Sequence, residues 1–394
     1  MTASPTDSSP PAHAPLAGIH VVELGANVAA PYGTEVLGDL GATVVKVEKP
    51  DGGDDARSWG PPFWQGSSAI FQYLNRNKRS ITIDLKDEGQ RELLRTYITD
   101  HADVVLQNFR PGAVQRMGLD AATLRARKPA LIYCNLGAFG RTGPEKDKPG
   151  YDPLMQAFGG LMSVTGLPGS PPVRIGTSII DMGTGMWCVI GILAALNRRH
   201  ATGEGCEVDA SLFETALGWM SAHVASYHAS GKVSGKTGTG VAFIAPYQAF
   251  PTASGELIIA AGTDALFRRM AGALGHPEWA DDPRYATNAE RVAHRDGLIT
   301  DMEQALAAHP KEHWQAALEA VGVPCAPLHD TAEVLAHPQT AALGIHQAVP
   351  DTDDMHQIGL PLSFDGRRPP ILRRPPKPGE HTAEILNPYR KDTP

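Results

Sequence analysis

Residues 19–48 read IHVVELGANVAAPYGTEVLGDLGATVVKVE, and this segment encodes a strand, a helix and a second strand. Apolar runs at Ile19–Leu24 and Thr43–Glu48 predict buried strands, and Pro31–Leu40 between them has the spacing of a helix. The same alternation continues along the chain, with predicted strands at residues 80–85, 103–107 and 130–134 and a helix at residues 89–99. Repeated units of this kind favour an α/β fold with a largely parallel sheet, as in Rossmann-like domains.

The pattern changes after residue 210, which predicts a second and smaller α+β domain. We expect a disordered tail at 1–15, a large α/β domain at 16–210, a linking helix and loop at 211–245, the small domain at 246–330, and a proline-rich end at 331–394. The tail is rich in Ser, Pro and Thr and has neither a basic start nor an apolar run, so it does not resemble a signal peptide.

Composition narrows the function. The 394 residues carry a formal net charge of -8, which provides no basic field for nucleic acid, so acidic ligands must be held by local Lys and Arg. The four cysteines have no CxxC spacing, which favours a reducing cytoplasm over a disulfide framework or a zinc site. The longest apolar stretch, near 186–196, is short for a membrane span. We therefore expect a cytoplasmic protein without a metal, a nucleic-acid partner or a membrane partner.

The segment RIGTSIID at 174–181 predicts a strand that ends at Asp181, followed by a helix that begins near MGTGM. A carboxylate at the positive end of a helix, flanked by glycines that allow a ligand to approach, suits an ionised nucleophile. The alternative is that Asp181 only caps the helix, since Asp is a preferred N-cap residue. This segment alone does not decide between them.

Three other motifs each lack a residue or a structural element that their function requires. Gly183 and Gly185 begin a partial dinucleotide fingerprint, but Cys188 occupies the place of the third glycine. The segment SGKVSGKT at 230–237 lacks the first glycine of a phosphate loop and a preceding strand, so it is predicted to be a linker. His309 and His313 are four residues apart, but Pro310 predicts a helix start that leaves His309 outside the helix.

The motifs around Asp181 occur in a recognisable order. They are PGYD at 149–152, QAFGGLM at 156–162 and PPVR at 171–174, preceded by NRNKRS at 75–80 and NFRPG at 108–112. Together they resemble the class III (CaiB/BaiF-type) coenzyme A transferases over almost the whole chain. Within that family, GDDARSWGPP at 53–62, PYQAF at 246–250 and YATN at 285–288 are most similar to the succinate-hydroxymethylglutarate CoA-transferase group.

The resemblance implies a mechanism and a set of partners. Asp181 matches the family's nucleophile, which implies a covalent aspartyl-CoA intermediate in moving CoA from an acyl-CoA, here succinyl-CoA, to a small carboxylic or dicarboxylic acid. Coenzyme A is then a substrate, and neither a permanently bound cofactor nor a metal is needed. Backbone N–H groups around Met182 and Gly183 are the expected oxyanion donors. The family fold implies an interlocked, ring-like homodimer in which residues 331–394 return to complete the large domain.

The resemblance also carries the coenzyme A contacts onto matching positions. These are Val28, Ala29, Lys49, Ile83, Lys86, Asn108, Phe109, Arg110, Arg116 and Met117, with Pro149, Gly150, Tyr151 and Asp152 lining the pantetheine near the nucleophile. Arg57 and Arg174 are candidates for pairing with the far carboxylate of a dicarboxylate, or for ion pairs within the protein. Lys78 and Arg79 are predicted to be structural.

Two departures from the family pattern leave alternatives open. Tyr151 stands where the racemase branch has a proton-transferring His, so α-methylacyl-CoA racemisation becomes the alternative activity. Only Gly238 and Gly240 stand where formyl-CoA transferase has a run of glycines, which counts against oxalate as acceptor. A CoA-binding protein without activity is a further alternative, and it requires an idle Asp181.

Overall fold

The computed structural model describes residues 14–389, so the predicted tail at 1–15 lies outside the described residues except for Ala14 and Pro15. The chain divides into two compact units. The first contains the chain up to Leu161, Ile175–Val224 and the chain from Pro338 onward, and the second contains Met162–Arg174 and Ala225–His337. The segment Met162–Arg174, which the sequence placed in the large domain, therefore belongs to the second unit.

Strands and helices alternate through the first 210 residues, as the sequence predicted, and both units contain strands and helices. The strands are β1 (His20–Leu24), β2 (Thr43–Glu48), β3 (Phe63–Trp64), β4 (Ser67–Ser68), β5 (Lys78–Thr82), β6 (Val104–Gln107), β7 (Ile132–Gly137), β8 (Glu207–Ser211), β9 (Tyr247–Pro251), β10 (Glu256–Ala260), β11 (Cys325–Pro327), β12 (His346–Ala348) and β13 (His356–Ile358). The helices are α1 (Ala29–Asp39), α2 (Ala69–Leu74), α3 (Glu88–His101), α4 (Ala113–Arg116), α5 (Ala121–Arg127), α6 (Asp152–Phe158), α7 (Leu161–Val164), α8 (Ile179–Thr202), α9 (Leu212–Trp219), α10 (Ser221–Ser230), α11 (Asp264–Ala273), α12 (Asn288–Ala293), α13 (Arg295–Leu306), α14 (Lys311–Ala320), α15 (Thr331–Ala336), α16 (Pro338–Ala342) and α17 (Thr382–Leu386).

Within residues 14–389, the first unit is built on a sheet of six parallel strands in the order β5-β2-β1-β6-β7-β8. One face of the sheet packs against α1 and α8, and the other against α3, α5 and α17. Because both faces are covered, the central strands are apolar along most of their length, as in other parallel sheets. The α/β class predicted from the sequence is confirmed.

The strand order reverses beside β1. The chain builds outward from β1 through β2 to β5, and then returns to the other side of β1 with β6. In open parallel sheets, ligands bind in the crevice beyond the carboxyl ends of the strands at such a reversal. Here that crevice lies between the turn after β1 and the loop after β6.

The predicted strand at residues 174–180 is wrong. Residues 171–178 have no regular structure, and α8 begins at Ile179, so Asp181 lies in the first turn of a helix. Alternation of apolar residues suggested a strand, but Ile180 is fully buried in the helix and its N–H donates to the Asp152 carboxylate. This tertiary cap fixes the start of the helix, and a local pattern cannot reveal it. The opposite error occurs at β8, a strand that was not predicted from the sequence.

Helix α8 spans 24 residues, and an 18-residue stretch within it has a mean hydropathy of 1.9, so by length and composition it could cross a membrane. The apolar stretch predicted near 186–196 was therefore too short. The core helix of a soluble domain passes the same test. Buried residues such as Cys188 and Ile192 pack it onto the sheet core. At Gly185, an added Cβ would lie 2.6 Å from the Ala29 carbonyl oxygen, so only glycine permits this crossing with α1.

The second unit has its own core. An antiparallel sheet in the order β11-β10-β9 packs against α11, α13 and α14 through residues such as Phe250, Phe267 and Leu318. Strands β9 and β10 form a hairpin whose turn contains Ser254 and Gly255. Pro310 is the N-cap of α14, so His309 lies outside the helix as predicted.

Candidate active site

Asp181 is the third residue of α8, and its carboxylate accepts no hydrogen bond from any residue in 14–389. The N-cap position belongs to Ser178, and its side chain makes no capping hydrogen bond. The alternative that Asp181 caps the helix is therefore wrong. A partly buried carboxylate without a hydrogen-bond donor is costly to keep unless it has another use.

The cap is supplied from elsewhere in the chain by Asp152, the first residue of α6. Its side chain accepts hydrogen bonds from the Ile180 N–H at 2.7 Å and from the Asp181 N–H at 3.2 Å. Gln156, one turn later in α6, donates to the same carboxylate at 2.6 Å. Asp152 is almost fully buried, so its charge is held directly beneath the start of α8.

Burial, together with the neighbouring charge of Asp152, raises the pKa of Asp181 to about 7. The sequence predicted an ionised carboxylate favoured by the helix terminus, but Asp152 already occupies the amides that would provide that stabilisation. At neutral pH, Asp181 is therefore divided between its acid and carboxylate forms. A raised pKa makes the ionised form a stronger base and nucleophile than an exposed aspartate.

The expected oxyanion donors are not available at the start of α8. The N–H of Met182 donates to Ser178 O at 3.0 Å, and the N–H of Ile179 donates to Thr177 O at 2.9 Å. With Ile180 and Asp181 bound to Asp152, the first four amides of the helix are all occupied. The prediction that Met182 stabilises an oxyanion is therefore wrong.

Helix α8 runs from the carboxyl edge of the sheet to the amino edge. At its far end, Arg199 forms an ion pair at 2.9 Å with Asp103, the residue before β6. Near its start, Gly185 contacts the first turn of α1, which follows the carboxyl end of β1. Asp181 is one turn before Gly185, so it stands at the carboxyl edge beside the turn between β1 and α1.

That turn, residues 25–28, is fixed by side chains from the sheet. The Lys46 ammonium donates to Gly25 O at 2.9 Å, and Asp54 accepts from the Asn27 N–H at 3.1 Å. Asn108 holds both the N–H and the carbonyl of Ala26, at 3.0 and 2.8 Å. The turn is therefore rigid before any substrate binds.

Buried ion pairs support these contacts. Lys46 pairs with Glu23 at 2.6 Å and with Asp54 at 2.8 Å, and Lys78 pairs with Glu23 at 2.9 Å. Lys78 also donates to Pro31 O in the first turn of α1, at 2.8 Å. All of these side chains are buried, and breaking such a pair is costly because one charge is left without a partner. Lys78 is structural, as predicted.

The predicted coenzyme A residues all follow the carboxyl ends of strands. Val28 and Ala29 are buried where α1 begins after β1, and Lys49 follows β2 and pairs with Asp55. After β5 come Ile83 and Lys86. After β6 come Asn108, Phe109, Arg110, Arg116 and Met117, and after β7 come Pro149, Gly150, Tyr151 and Asp152. Lys86, Arg110 and Arg116 are exposed and form no ion pair within residues 14–389. They are therefore available to bind phosphate groups.

Two arginines were candidates for contacting the acceptor acid, and one of them, Arg57, is already bound within the protein. Its guanidinium binds Glu48 through Nε at 2.8 Å and Nη2 at 2.7 Å, donates to Pro376 O, and lies 3.7 Å over the ring of Phe71. For Arg57 the structure shows the internal ion pair, the second of the two interpretations. Arg174 is exposed and belongs to the second unit.

Sequence reasoning missed two features of this site. Asp152 was expected to line the pantetheine, and its role in capping α8 depends on a contact between residues 28 positions apart. Asn27 was not singled out, although an Asn just before a helix and after a strand could have drawn attention. Its φ is 72°, in the left-handed region that Asn tolerates better than most residues.

Along one edge of its parallel sheet, the described part of the chain carries a carboxylate without a hydrogen-bond partner and cations without ion pairs, an arrangement typical of an enzyme for anionic substrates. The model of CoA-transferase family III matches residues 16–382. An acetyl-CoA:oxalate CoA-transferase of Acetobacter aceti is 39% identical over 329 residues, with 83% of this chain and 84% of the relative covered. A succinate–glutarate CoA-transferase of Agrobacterium fabrum is 38% identical over 380 residues, with 94% and 95% covered.

A crystal structure agrees with these relatives. That of a CaiB/BaiF family protein from Brucella suis matches with a TM-score of 0.85 at 40% identity, covering 95% of this chain and 99% of the other. The chain therefore belongs to CoA-transferase family III and is an enzyme that transfers CoA between acyl-CoA thioesters and acids. The resemblance inferred from the sequence is confirmed.

Proposed function

We propose that this enzyme transfers CoA from succinyl-CoA to a small dicarboxylic acid through a covalent intermediate on Asp181. The observation that carries the proposal is the Asp181 carboxylate itself, which is partly buried, has no hydrogen-bond partner among the described residues and has a pKa raised to about 7. An idle residue would not be expected to hold such an unfavourable charge.

The reaction proceeds through four exchanges. The Asp181 carboxylate attacks the thioester carbonyl of the donor, giving a mixed anhydride and releasing the CoA thiolate. The thiolate attacks the aspartyl carbonyl, which forms the aspartyl-CoA thioester and releases the donor acid. The carboxylate of the acceptor attacks this thioester, forming a second anhydride and the thiolate again. The thiolate then takes the acceptor acyl group and regenerates the Asp181 carboxylate.

The relatives support two kinds of substrate. The Agrobacterium relative is named for succinate and glutarate, which agrees with a succinyl donor and a dicarboxylate acceptor. The Acetobacter relative is named for acetyl-CoA and oxalate, so the short glycine segment at 238–240 is a weak reason to reject oxalate. Oxalate, with acetyl-CoA as donor, is therefore the second candidate.

The proposed coenzyme A site uses the cations at the carboxyl edge. Lys86, Arg110 and Arg116 would hold the phosphates, and Phe109 and Met117, both half-buried at the surface of the core, would contact adenine. Arg174 remains the proposed contact for the far carboxylate of the acceptor. Tyr151 is exposed, and a phenol is a poor base for moving an α-proton at neutral pH, so racemisation stays the alternative.

We also propose an interlocked homodimer in the cytoplasm. Helix α8 leaves an apolar stripe exposed in the single chain: Met186 and Trp187 are each 47% exposed, and Ile190 is 51% exposed. Trp219 of α9, 44% exposed, lies beside Trp187 with ring centroids 6.5 Å apart. An apolar patch of this kind is typical of a surface covered by a partner.

The test is an exchange assay in which purified enzyme is incubated with succinyl-CoA and a panel of acids, and the acyl-CoA products are separated by chromatography. We expect new acyl-CoA from glutarate or related acids, and none with Asp181→Asn. Deuterium appearing at the α-carbon of a branched acyl-CoA, without exchange of CoA, would instead support racemisation. Product only with acetyl-CoA and oxalate would favour the second candidate.

A further inference from the structure

The turn before α1 contains a polar group that is left unused within the described residues. The backbone of this turn is held by Lys46, Asp54 and Asn108. The Asn27 side-chain amide, in contrast, makes no hydrogen bond within residues 14–389 and is half-buried. Its oxygen and nitrogen are not among the fully buried polar atoms, so they are open to solvent and to a ligand.

The backbone conformation of Asn27 holds this residue outside helix α1, at the end of β1. With φ at 72° and its N–H bound to Asp54, the residue cannot relax into the helix that starts two residues later. It lies at the carboxyl end of β1, beside the reversal of strand order. Its amide is therefore presented at the edge where the ligand crevice is expected.

Asp181 lies at the same edge. The contact between Gly185 and Ala29 O places α8 against the first residue of α1. Asp181 precedes Gly185 by four residues, on the same face of α8 and about 6 Å further toward the carboxyl edge. Asn27 precedes Ala29 by two residues, so Asn27 and Asp181 both lie at the same end of the helix crossing.

The chemistry at Asp181 needs a donor that the first turn of α8 does not supply. Attack on a thioester creates an oxyanion, which enzymes stabilise with fixed N–H groups. The amides of Ile179, Ile180, Asp181 and Met182 are all occupied. Asn27 offers two N–H bonds that have no partner in the described part of the chain, and its rigid turn positions them in advance.

We infer that the Asn27 side-chain amide is a catalytic residue that donates to the carbonyl oxygen of the acyl group attacked by, or attached to, Asp181. This inference rests on the proposed covalent mechanism. The amide forms a hydrogen bond that strengthens as the carbonyl oxygen becomes negatively charged, and it exchanges no proton. Binding of coenzyme A does not depend on it.

The test compares Asn27→Gly with Asp365→Gly in the full-length enzyme. Glycine accepts the positive φ at both positions, and Asp365, with φ at 50°, is an exposed residue at which the same change controls for the backbone. The rate of covalent adduct formation from succinyl-CoA is measured in a single turnover, and the affinity for coenzyme A by calorimetry. We expect Asn27→Gly to slow adduct formation by about 100-fold with the affinity unchanged, and Asp365→Gly to have no effect.

A second variant separates hydrogen-bond donation from shape. Asn27→Asp keeps the size of the side chain but removes its donors, and we expect a loss of rate at least as large. If Asn27→Gly forms the adduct within about threefold of the wild-type rate, or loses affinity for coenzyme A at an unchanged rate, the inference is overturned. If the wild-type enzyme forms no adduct at Asp181 while still exchanging CoA, it is the proposed mechanism that fails.

Discussion

Asp181 should reduce the stability of the folded enzyme, and replacing it with asparagine should reveal how much. The asparagine side chain fills the same space, but it carries no charge to be buried or repelled by Asp152. We therefore expect Asp181→Asn to abolish CoA transfer and at the same time to raise the free energy of unfolding. A catalytic group that costs stability is a known consequence of building an active site.

The magnitude follows from the pKa. An Asp whose pKa is about 7 in the folded state, against 3.8 when exposed, binds more protons folded than unfolded between those values. The free energy of unfolding therefore falls as pH rises from about 4 to about 7, and the loss is complete above about pH 7. At pH 8 the cost is about 2–4 kcal/mol, and at pH 4 it is under about 1 kcal/mol.

Thermal unfolding followed by circular dichroism from pH 5 to pH 8 measures this difference. For a chain of this size, about 1 kcal/mol corresponds to roughly 1 °C in Tm, so we expect Asp181→Asn to gain about 2–4 °C at pH 8 and clearly less at pH 5. Asp353→Asn, the same change at an exposed aspartate, serves as the control. A gain that is constant with pH, or a loss at pH 8, would refute the reasoning.

Three further predictions follow from the same contacts. The kcat/KM should rise with pH through about 7 and level off above about pH 8, because the proposed mechanism requires Asp181 as a carboxylate; a profile that is flat between pH 5 and pH 8 would contradict this. Asp152→Asn should move the midpoint of this kcat/KM profile to lower pH, because it removes the negative charge beside Asp181. Its amide oxygen can still accept hydrogen bonds from the α8 amides. An unchanged midpoint would show that the Asp152 charge does not act on Asp181. Gly185→Ala should lower Tm and activity together, because the new Cβ would meet Ala29 O at 2.6 Å and force the helices apart, at a cost of about 1–3 kcal/mol; an unchanged Tm would show that the crossing adapts.

The sheet could be predicted from the sequence because its strands are buried on both faces. The apolar runs at Thr43–Glu48 and Val104–Gln107 are enough to predict strands, and the predicted bounds agree with the structure to within one residue. The strand β8, with the sequence EVDAS, lies at the edge of the sheet and is only partly buried, so it has no such run. Because β8 is less buried than the central strands, its sequence lacks the apolar run from which a strand is predicted.

Asp181 was singled out from the sequence, but its local structure was predicted wrongly. The start of α8 is set by the Asp152 carboxylate, which is 28 residues away from Ile180 in sequence. Burial, together with the nearby charge of Asp152, raises the pKa of Asp181, and the Met182 N–H that was expected to stabilise an oxyanion is bound to Ser178 O within the helix. Asp152 therefore sets the start of α8 and contributes to the raised pKa, whereas the helix itself occupies the Met182 amide.

Arg57 shows a similar limit. Its sequence context allowed either a substrate contact or an internal ion pair, and only the fold shows that Glu48 and Phe71 enclose it. From sequence alone, an arginine that binds a ligand cannot be told from one that forms an ion pair within the protein.

The most direct test of the central claim is the intact mass of the protein after incubation with succinyl-CoA, measured for the wild type and for Asp181→Ala. We expect the wild type to gain the mass of coenzyme A less one water, as a thioester requires, and hydroxylamine to convert that adduct to a hydroxamate located at Asp181. Neither product should form in the variant. The same gain in both proteins, or no gain in the wild type under conditions in which it exchanges CoA, would contradict the assignment of Asp181 as the nucleophile.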